Sequence, residues 1–412
     1  MSEPASRFLT HDDAPWLAAP EARAVIAALT AGGRPVRFVG GCVRDALAGR
    51  TVTDIDIATP ERPERVMELL AAAGLKVVPT GLDHGTVTAV IRGKPFEITT
   101  LRRDVETDGR RAVVAFTDDW REDALRRDFT INALSADPDG RVHDPFGGIV
   151  DLAAGRVRFV GDPATRIRED VLRILRFFRF HAHYGRGEPD AEGFAACRQH
   201  AGLLPNLSGE RIAAELRRLL EADDAAAMIE KMRAAGILAP ILPEVANLGR
   251  LRGLQALSDR AARDPLLRLA ALLPSDAAVG AALAERLRLS NQERTRLETI
   301  LSPPPDLWPA ADPRALRRAL YRLGAETVRD LGLLLSAAGE TARGETARAA
   351  ALHWVPVALP MRGQDVLDLG IKPGPAVGRL VGEVEAWWEA NDYRPDRAAC
   401  LERLKTLVTS RP

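Results

Sequence analysis

An α+β chain is predicted, with a mixed-sheet domain first and an all-helical region after it. Three observations carry that prediction. From about Arg34 to Val160, short runs rich in Val, Ile, Thr and Phe alternate with turns, the pattern of strands. After about Asp162 the strand signals fade and apolar residues recur at helical spacing. A chain of 412 residues is also too long for one compact core, so the change of style marks a division into domains.

In order, "PVRFVGG", "DIDIAT", "KVVPTG", "GTVTAVIRG", "PFEITTL" and "RAVVAF" read as strands. Between the second and third, "PERVMELLAAAG" reads as a helix, with proline near its start and glycine at its end. Further on, "EDVLRILRFFRFHAHYG", "SGERIAAELRRLLEA", "DAAAMIEKMRAAGIL", "PLLRLAALL" and "AVGAALAERLRL" all read as helices. In the second of these Ser208 is the N-cap, and Arg211 stands where a capping box would carry Glu. Proline-rich breaks at "LSPPPDLWP" and "IKPGP" mark turns or joints.

Charged residues make up 28% and hydrophobic ones 46%, ordinary for a globular protein. The formal net charge is zero, so no global basic field announces nucleic acid; local patches decide that question. Nearly all the cationic charge is arginine. The three cysteines, Cys42, Cys197 and Cys400, are scattered and form no CxxC, which predicts a reducing compartment. No signal peptide and no apolar run of membrane-spanning length is visible, so a cytoplasmic location is expected.

The chemistry starts in "FVGGCVRDALAGRTVTDIDIAT". A strand ending in Gly40-Gly41 and leading into a helix places bare backbone amides at a helix N-terminus, which attracts phosphate. Arg44 on the first turn adds a charged donor. Alone the double glycine is a weak sign, being neither GxGxxG nor a Walker A pattern. Asp54 and Asp56 sharpen it. Residues i and i+2 of a strand share a face, so two carboxylates would stand together with Ile55 and Ile57 turned to the core. Asp is disfavoured in strands, and like charges that close call for a bridging cation; magnesium, with its preference for oxygen ligands, fits. Glu97, in "FEITTL", would be either a third carboxylate beside the pair or merely exposed. In "REDALRRDFTINAL", Arg126, Arg127 and Asp128 read equally as a helix surface with internal ion pairs and as a clamp on phosphate or ribose.

"REDVLRILRFFRF" is the most informative helix. At 100° per residue Val171, Leu175, Phe178 and Ala182 form an apolar stripe. Glu169, Asp170, Arg173 and Arg176 gather on the far side, with Phe177 and Phe180 among them, which suggests a cleft where a base stacks and is read by its edge. Asp170 and Arg173, three apart, are neighbours on a helix. Carboxylate and guanidinium together suit cytosine and adenine and refuse uracil and guanine, whose O4 and O6 meet the carboxylate with no proton to give. Arg179 lies about 180° round the wheel from Asp170 and suits phosphate, RNA or a structural ion pair better.

The ordered set "GGCVRDALAG…DIDIAT", "HGTVT", "FEITTLRRDVETDGR", "RRDFTINAL", "DPFGG" and "REDVLRILRFFRF" resembles the class II CCA-adding tRNA nucleotidyltransferases, a family that includes bacterial poly(A) polymerases. The resemblance is strong from Val36 to about Leu220 and general afterwards. It implies a polymerase-β-like nucleotidyltransferase head at 34–160, after a helical lead-in at 1–33. A base-reading helical neck would follow at 161–222, and a helical body and tail holding RNA at 223–412. Carried over by motif, Gly41, Arg44 and Arg127 would hold the nucleotide. Asp54 and Asp56 would bind catalytic magnesium. Asp170 and Arg173 would read the base, assisted by Arg176 and Arg179. The implied partners are the 3′ acceptor end of tRNA, CTP and ATP, with no membrane. "RRDVETDGRRAVVAF" resembles the mobile loop of enzymes that add all three nucleotides. The competing readings are poly(A) addition and, in another class, a non-catalytic RNA-binding protein on the same scaffold.

Overall fold

A computed structural model describes residues 7–10, 12–107, 112–307 and 312–410, without the side chains of 83, 104–107 and 112–114. The chain separates into two compact units, Met1–Pro243 and Glu244–Pro412. No described helix is long and apolar enough to cross a membrane.

The first unit opens with α1 (Pro20–Thr30) and continues through β1 (Arg37–Val39), α2 (Gly41–Leu47), β2 (Asp56–Thr59), α3 (Pro63–Ala72) and β3 (Lys76–Gly81). Then come β4 (Thr86–Ile91), β5 (Lys94–Thr100), β6 (Arg102–Thr107), β7 (Ala112–Phe116), α4 (Trp120–Leu125), β8 (Ser135–Ala136) and β9 (Val142–His143). Helices complete it: α5 (Gly148–Ala154), α6 (Pro163–Glu169), α7 (Arg173–Tyr184), α8 (Ala191–His200), α9 (Gly209–Leu220) and α10 (Ala225–Ala234). All six strands read from the sequence are present; β6, β8 and β9 are additional. β6 and β7 pair as a separate ribbon, and the tip of the loop-like segment, 108–111, lies outside the described residues.

The main sheet has seven strands in the order β3-β4-β5-β2-β1-β8-β9. It is mixed: β2 and β5 run parallel while the other pairs are antiparallel. Strand alternation sorts its two faces. Phe38, Ile57, Val87, Ala89, Phe96 and Ile98 turn to one side and form a core with Val25 and Leu29 of α1 and Val66 and Leu70 of α3. Asp56 and Glu97, each next in sequence to one of those core residues, therefore face the other side. Positioning the site is the first thing this sheet does.

The second unit is helical. It contains α11 (Leu248–Ala256), α12 (Pro265–Leu272), α13 (Ala277–Arg286), α14 (Asn291–Leu301), α15 (Pro313–Ala337), α16 (Thr341–Leu352), α17 (Gly363–Leu367), α18 (Pro375–Ala390) and α19 (Arg397–Thr409). α15 is broken at Gly324, whose φ of 82° is one that glycine adopts without strain. Within this unit Arg296 of α14 donates to the fully buried Asp330 of α15 at 2.7 Å and to Asp264 at 3.2 Å. Arg296→Met would leave the buried carboxylate with only the longer contact to Arg329, at 3.3 Å. A loss of about 3 kcal/mol is expected, read as a shift of the urea midpoint.

The recognition segment departs from its predicted form. A single helix through "REDVLRILRFFRF" is expected, but α6 stops at Glu169 and α7 starts at Arg173. Asp170 between them is extended, with φ −150° and ψ 105°. Its own side chain explains the break, since Oδ1 accepts from the Leu172 N–H at 3.1 Å and competes with helical pairing. The aromatics are corrected too. Phe177 is fully buried and Phe180 nearly so. They pack with Phe129 and Phe159, Phe159 stacking on Phe177 at 5.5 Å and Phe129 meeting Phe180 edge-on at 5.3 Å. They line a core, not a base-stacking cleft.

Candidate active site

β1 ends at a turn that only glycine forms easily. Gly40 has φ 68° and ψ −119°, and a Cβ there would lie 2.9 Å from the Arg127 Nη1. Its N–H donates to the Leu134 carbonyl at 2.9 Å. The chain then enters α2 at Gly41, whose first-turn amides have no side-chain cap. Gly40→Ala is expected to cost about 1–3 kcal/mol of strain and to displace Arg127. Gly49, with φ 65° but open space around it, is the control: Gly49→Ala should carry the strain alone, so the excess loss of transfer activity in Gly40→Ala reports on Arg127.

β2 begins at Asp56, so the expected strand carrying both aspartates is shorter than predicted. Asp54 lies before it without regular structure and is exposed. The register gives the reason. Asp56 pairs with Glu97 of β5, which sets Pro95 opposite Asp54, and proline has no N–H to continue a ladder. Ile55 and Ile57 do pack on the core as expected. Glu97 is both exposed and beside Asp56. Burial, then the charges of Glu97 and Asp54, push the Asp56 carboxyl up to about 6, against the opposing pull of Arg127.

Among the described residues no three His, Cys, Asp or Glu side chains gather as a closed metal cage. The donor set is nonetheless the kind that a hard cation takes. It is all oxygen and mutually repelling, and magnesium is held by one or two carboxylates together with substrate phosphates rather than by a full protein cage. Cys42, at the centre of the motif, is buried, its Sγ 3.4 Å from the Val39 carbonyl. Burial pushes its thiol up to about 12, so it packs and does not react.

Arg127 lies just past the end of α4. It donates to Asp123 at 3.2 Å and to the Asn132 carbonyl at 3.3 Å, while Arg126 pairs with Asp123 at 3.0 Å. Both readings of this stretch therefore meet: there are ion pairs back to the helix, and Arg127 stands against Gly40 within electrostatic reach of Asp56. Arg44 is nearly buried. It grips Asp45 through Nε and Nη2, both at 2.9 Å, and donates to Asn132 at 2.6 Å. Its guanidinium lies over the rings of Tyr184 and Phe180.

From Arg44 a chain of polar contacts runs to the second half of the recognition segment. Asn132 donates to Asp128 Oδ1 at 2.8 Å. Arg176 donates to Asp128 Oδ2 at 2.7 Å and stands 3.8 Å from Glu215, which pairs with Arg179 at 2.6 Å. Burial alone would raise the Asp128 carboxyl; the Arg176 charge and the bonds from Asn132 and Arg176 outweigh it and leave the group below the usual carboxylate range. Arg179 accordingly sits in a structural ion pair. Asp170 and Arg173, expected as a pair, have separate partners. Asp170 takes Arg211 at 2.9 and 3.0 Å, and Arg173 takes Glu169 at 2.6 Å and the Arg126 carbonyl at 3.1 Å. The structure thus brings Gly40, Asp56, Glu97 and Arg127 together, and ties Arg44, Asp128 and Arg176 into one network. Sequence reasoning missed Asn132, Glu215 and the use of Arg211; of these only Arg211, a cation in a helix's first turn, left a signal.

A glycine turn, a repelling carboxylate pair on a mixed sheet and a helical segment docked through arginines make a site suited to a phosphorylated ligand held with a cation. The sequence model described as "Poly A polymerase head domain" matches residues 36–158, and "Probable RNA and SrmB- binding site of polymerase A" matches residues 188–248. The zebrafish (Danio rerio) protein named CCA tRNA nucleotidyltransferase 1, mitochondrial, is 34% identical over 90% of this chain and 86% of its own length. The CCA-adding enzyme of Limosilactobacillus fermentum is 33% identical over 93% and 97%. The crystal structure of the Bacillus stearothermophilus CCA-adding enzyme in complex with CTP superposes with a TM-score of 0.75 at 28% identity, covering 95% of this chain and 97% of that one. The chain belongs to the family of CCA-adding tRNA nucleotidyltransferases and is a nucleotidyltransferase.

Proposed function

We propose that the protein adds C, C and A to the 3′ end of tRNA, drawing on CTP and ATP and releasing pyrophosphate. The observation that carries this is the placement of Asp56, paired in register with Glu97 and within reach of Arg127, at the mouth of the glycine turn. Full-length similarity to relatives named for CCA addition favours it over poly(A) tailing.

In this reading Asp54 and Asp56 hold magnesium, with Glu97 as a third carboxylate beside them. The bound ions supply charge neutralisation at the triphosphate and lower the cost of ionising the RNA 3′-hydroxyl. The amides at Gly41, with Arg44 and Arg127, seat the phosphates. The 3′ oxygen then bonds to the α-phosphorus as the bond to the β-phosphate oxygen breaks, so that pyrophosphate leaves and the hydroxyl proton passes to water. The residues position the reactants and offset charge, and no covalent enzyme intermediate is required. Asp170 and Arg173 read the base edge. Arg176 and Arg179 assist by holding the recognition segment through Asp128 and Glu215. The head at 34–160, neck at 161–222 and body and tail at 223–412 divide the work between transfer, selection and grip on RNA. The three free, buried cysteines support a reducing compartment, in keeping with a cytoplasmic reaction.

Incubation with tRNA lacking its CCA end, with CTP, ATP and magnesium, followed by end sequencing, tests this. CCA ends are expected; long A tails on generic RNA without CTP, or no addition at all, would refute it.

A further inference from the structure

Arg211 occupies the third position of α9, after Ser208 as N-cap. A helix start favours acids and disfavours cations, and Glu or Gln at this position would close a capping box. The Ser208 side chain makes no cap bond, and Arg211 turns away from its own helix. Its Nη2 donates to both oxygens of Asp170, at 2.9 and 3.0 Å. The side chains are 35% and 30% exposed, so the pair sits at the edge of solvent where a ligand has access. One turn further along α9, Glu215 holds Arg179 and approaches Arg176. α9 thus sorts charges of the recognition segment: its Glu215 takes Arg179 and approaches Arg176, and its Arg211 takes the one carboxylate assigned to the base.

The geometry points to Arg211 as a positioning residue for base selection, an inference that rests on Asp170 reading the base edge. Asp170 Oδ1 is committed to the Leu172 N–H and to Arg211, whereas Oδ2 is committed to Arg211 alone. A carboxylate accepts at about four sites. Fixing it from two sides leaves Oδ2 aimed in one direction, toward an exocyclic amino group such as cytosine N4 or adenine N6. A carboxylate free to rotate would also admit a bridging water, through which the carbonyls of uracil and guanine become acceptable. Arg211 therefore sets how sharply amino-bearing bases are preferred, without touching the nucleotide.

The test is kcat/KM for CTP, UTP, ATP and GTP on tRNA lacking its terminal nucleotides. Arg211→Gln is expected to cut the CTP-over-UTP and ATP-over-GTP preferences about tenfold. Its melting temperature should stay within about 2 °C of the parent, because Gln at this position closes the capping box. Arg211→Lys, which keeps a cation within reach, should recover much of the preference. Asp170→Asn should loosen the same preferences, with Arg211→Gln adding nothing on top of it. An equal fall for all four nucleotides in Arg211→Gln, with preferences unchanged, overturns the role of Arg211 alone. Unchanged preferences in Asp170→Asn overturn the reading of Asp170 beneath it.

Discussion

Asp54→Ala combined with Asp56→Ala is expected to lower addition of C and A by at least about 10³-fold, with the far-UV spectrum and tRNA binding preserved. Activity within tenfold of the parent would remove both residues from the site. Stability separates this effect from unfolding. The Asp56 carboxyl is raised to about 6, chiefly by burial and then by Glu97 and Asp54, so keeping it ionised works against folding. A raised folded-state value contributes stability below the ordinary value of about 3.9 and loses it as pH rises through about 6. Asp56→Asn, measured in chelator, should therefore raise the melting temperature at pH 7.5 by about 2 °C and lose that advantage near pH 4. A variant that is more stable and inactive is what a functional carboxylate predicts; one that is less stable at pH 7.5 would contradict the assigned electrostatics.

Asp128→Ala should act in the opposite way. Asp128 is almost fully buried and holds Arg176, Asn132 and the Phe129 N–H together. Removing it leaves the half-buried Arg176 with the longer contact to Glu215, 3.8 Å away, and the face of the Phe180 ring. The expected loss is about 3 kcal/mol, measured as a shift of the urea midpoint. Here the folded-state value is depressed. The contribution is present above the ordinary carboxylate value of about 3.9 and is lost as pH falls toward the lower folded-state value. Parent and variant should thus converge in acid. A midpoint unmoved at pH 7.5 would show that the contact between the 127–132 turn and α7 is not stabilising.

The strands were legible because period-two alternation and turn residues are local properties, and the turning of Asp56 away from the core followed from the same alternation. β8 and β9, two residues each, were not legible, since strands so short exist only through their partners. The helical wheel misled at "REDVLRILRFFRF" because it assumes an unbroken helix. Asp170 breaks it with its own carboxylate, while Phe177 and Phe180, inside the unbroken α7, are buried against Phe129 and Phe159.

By itself the sequence determined the order of sheet and helices, the glycine turn, the two aspartates and the family those motifs resemble, because each depends on residues close together in the chain. Partnership was decided only by the tertiary structure. That Glu97 lies beside Asp56, that Arg176 belongs to Asp128, and that Asp170 belongs to Arg211 and not to Arg173 are pairings across 41 to 48 residues. Charge chooses its partner by distance after folding. Every arginine in this chain offers the same charge, so only the fold could say which carboxylate each one serves.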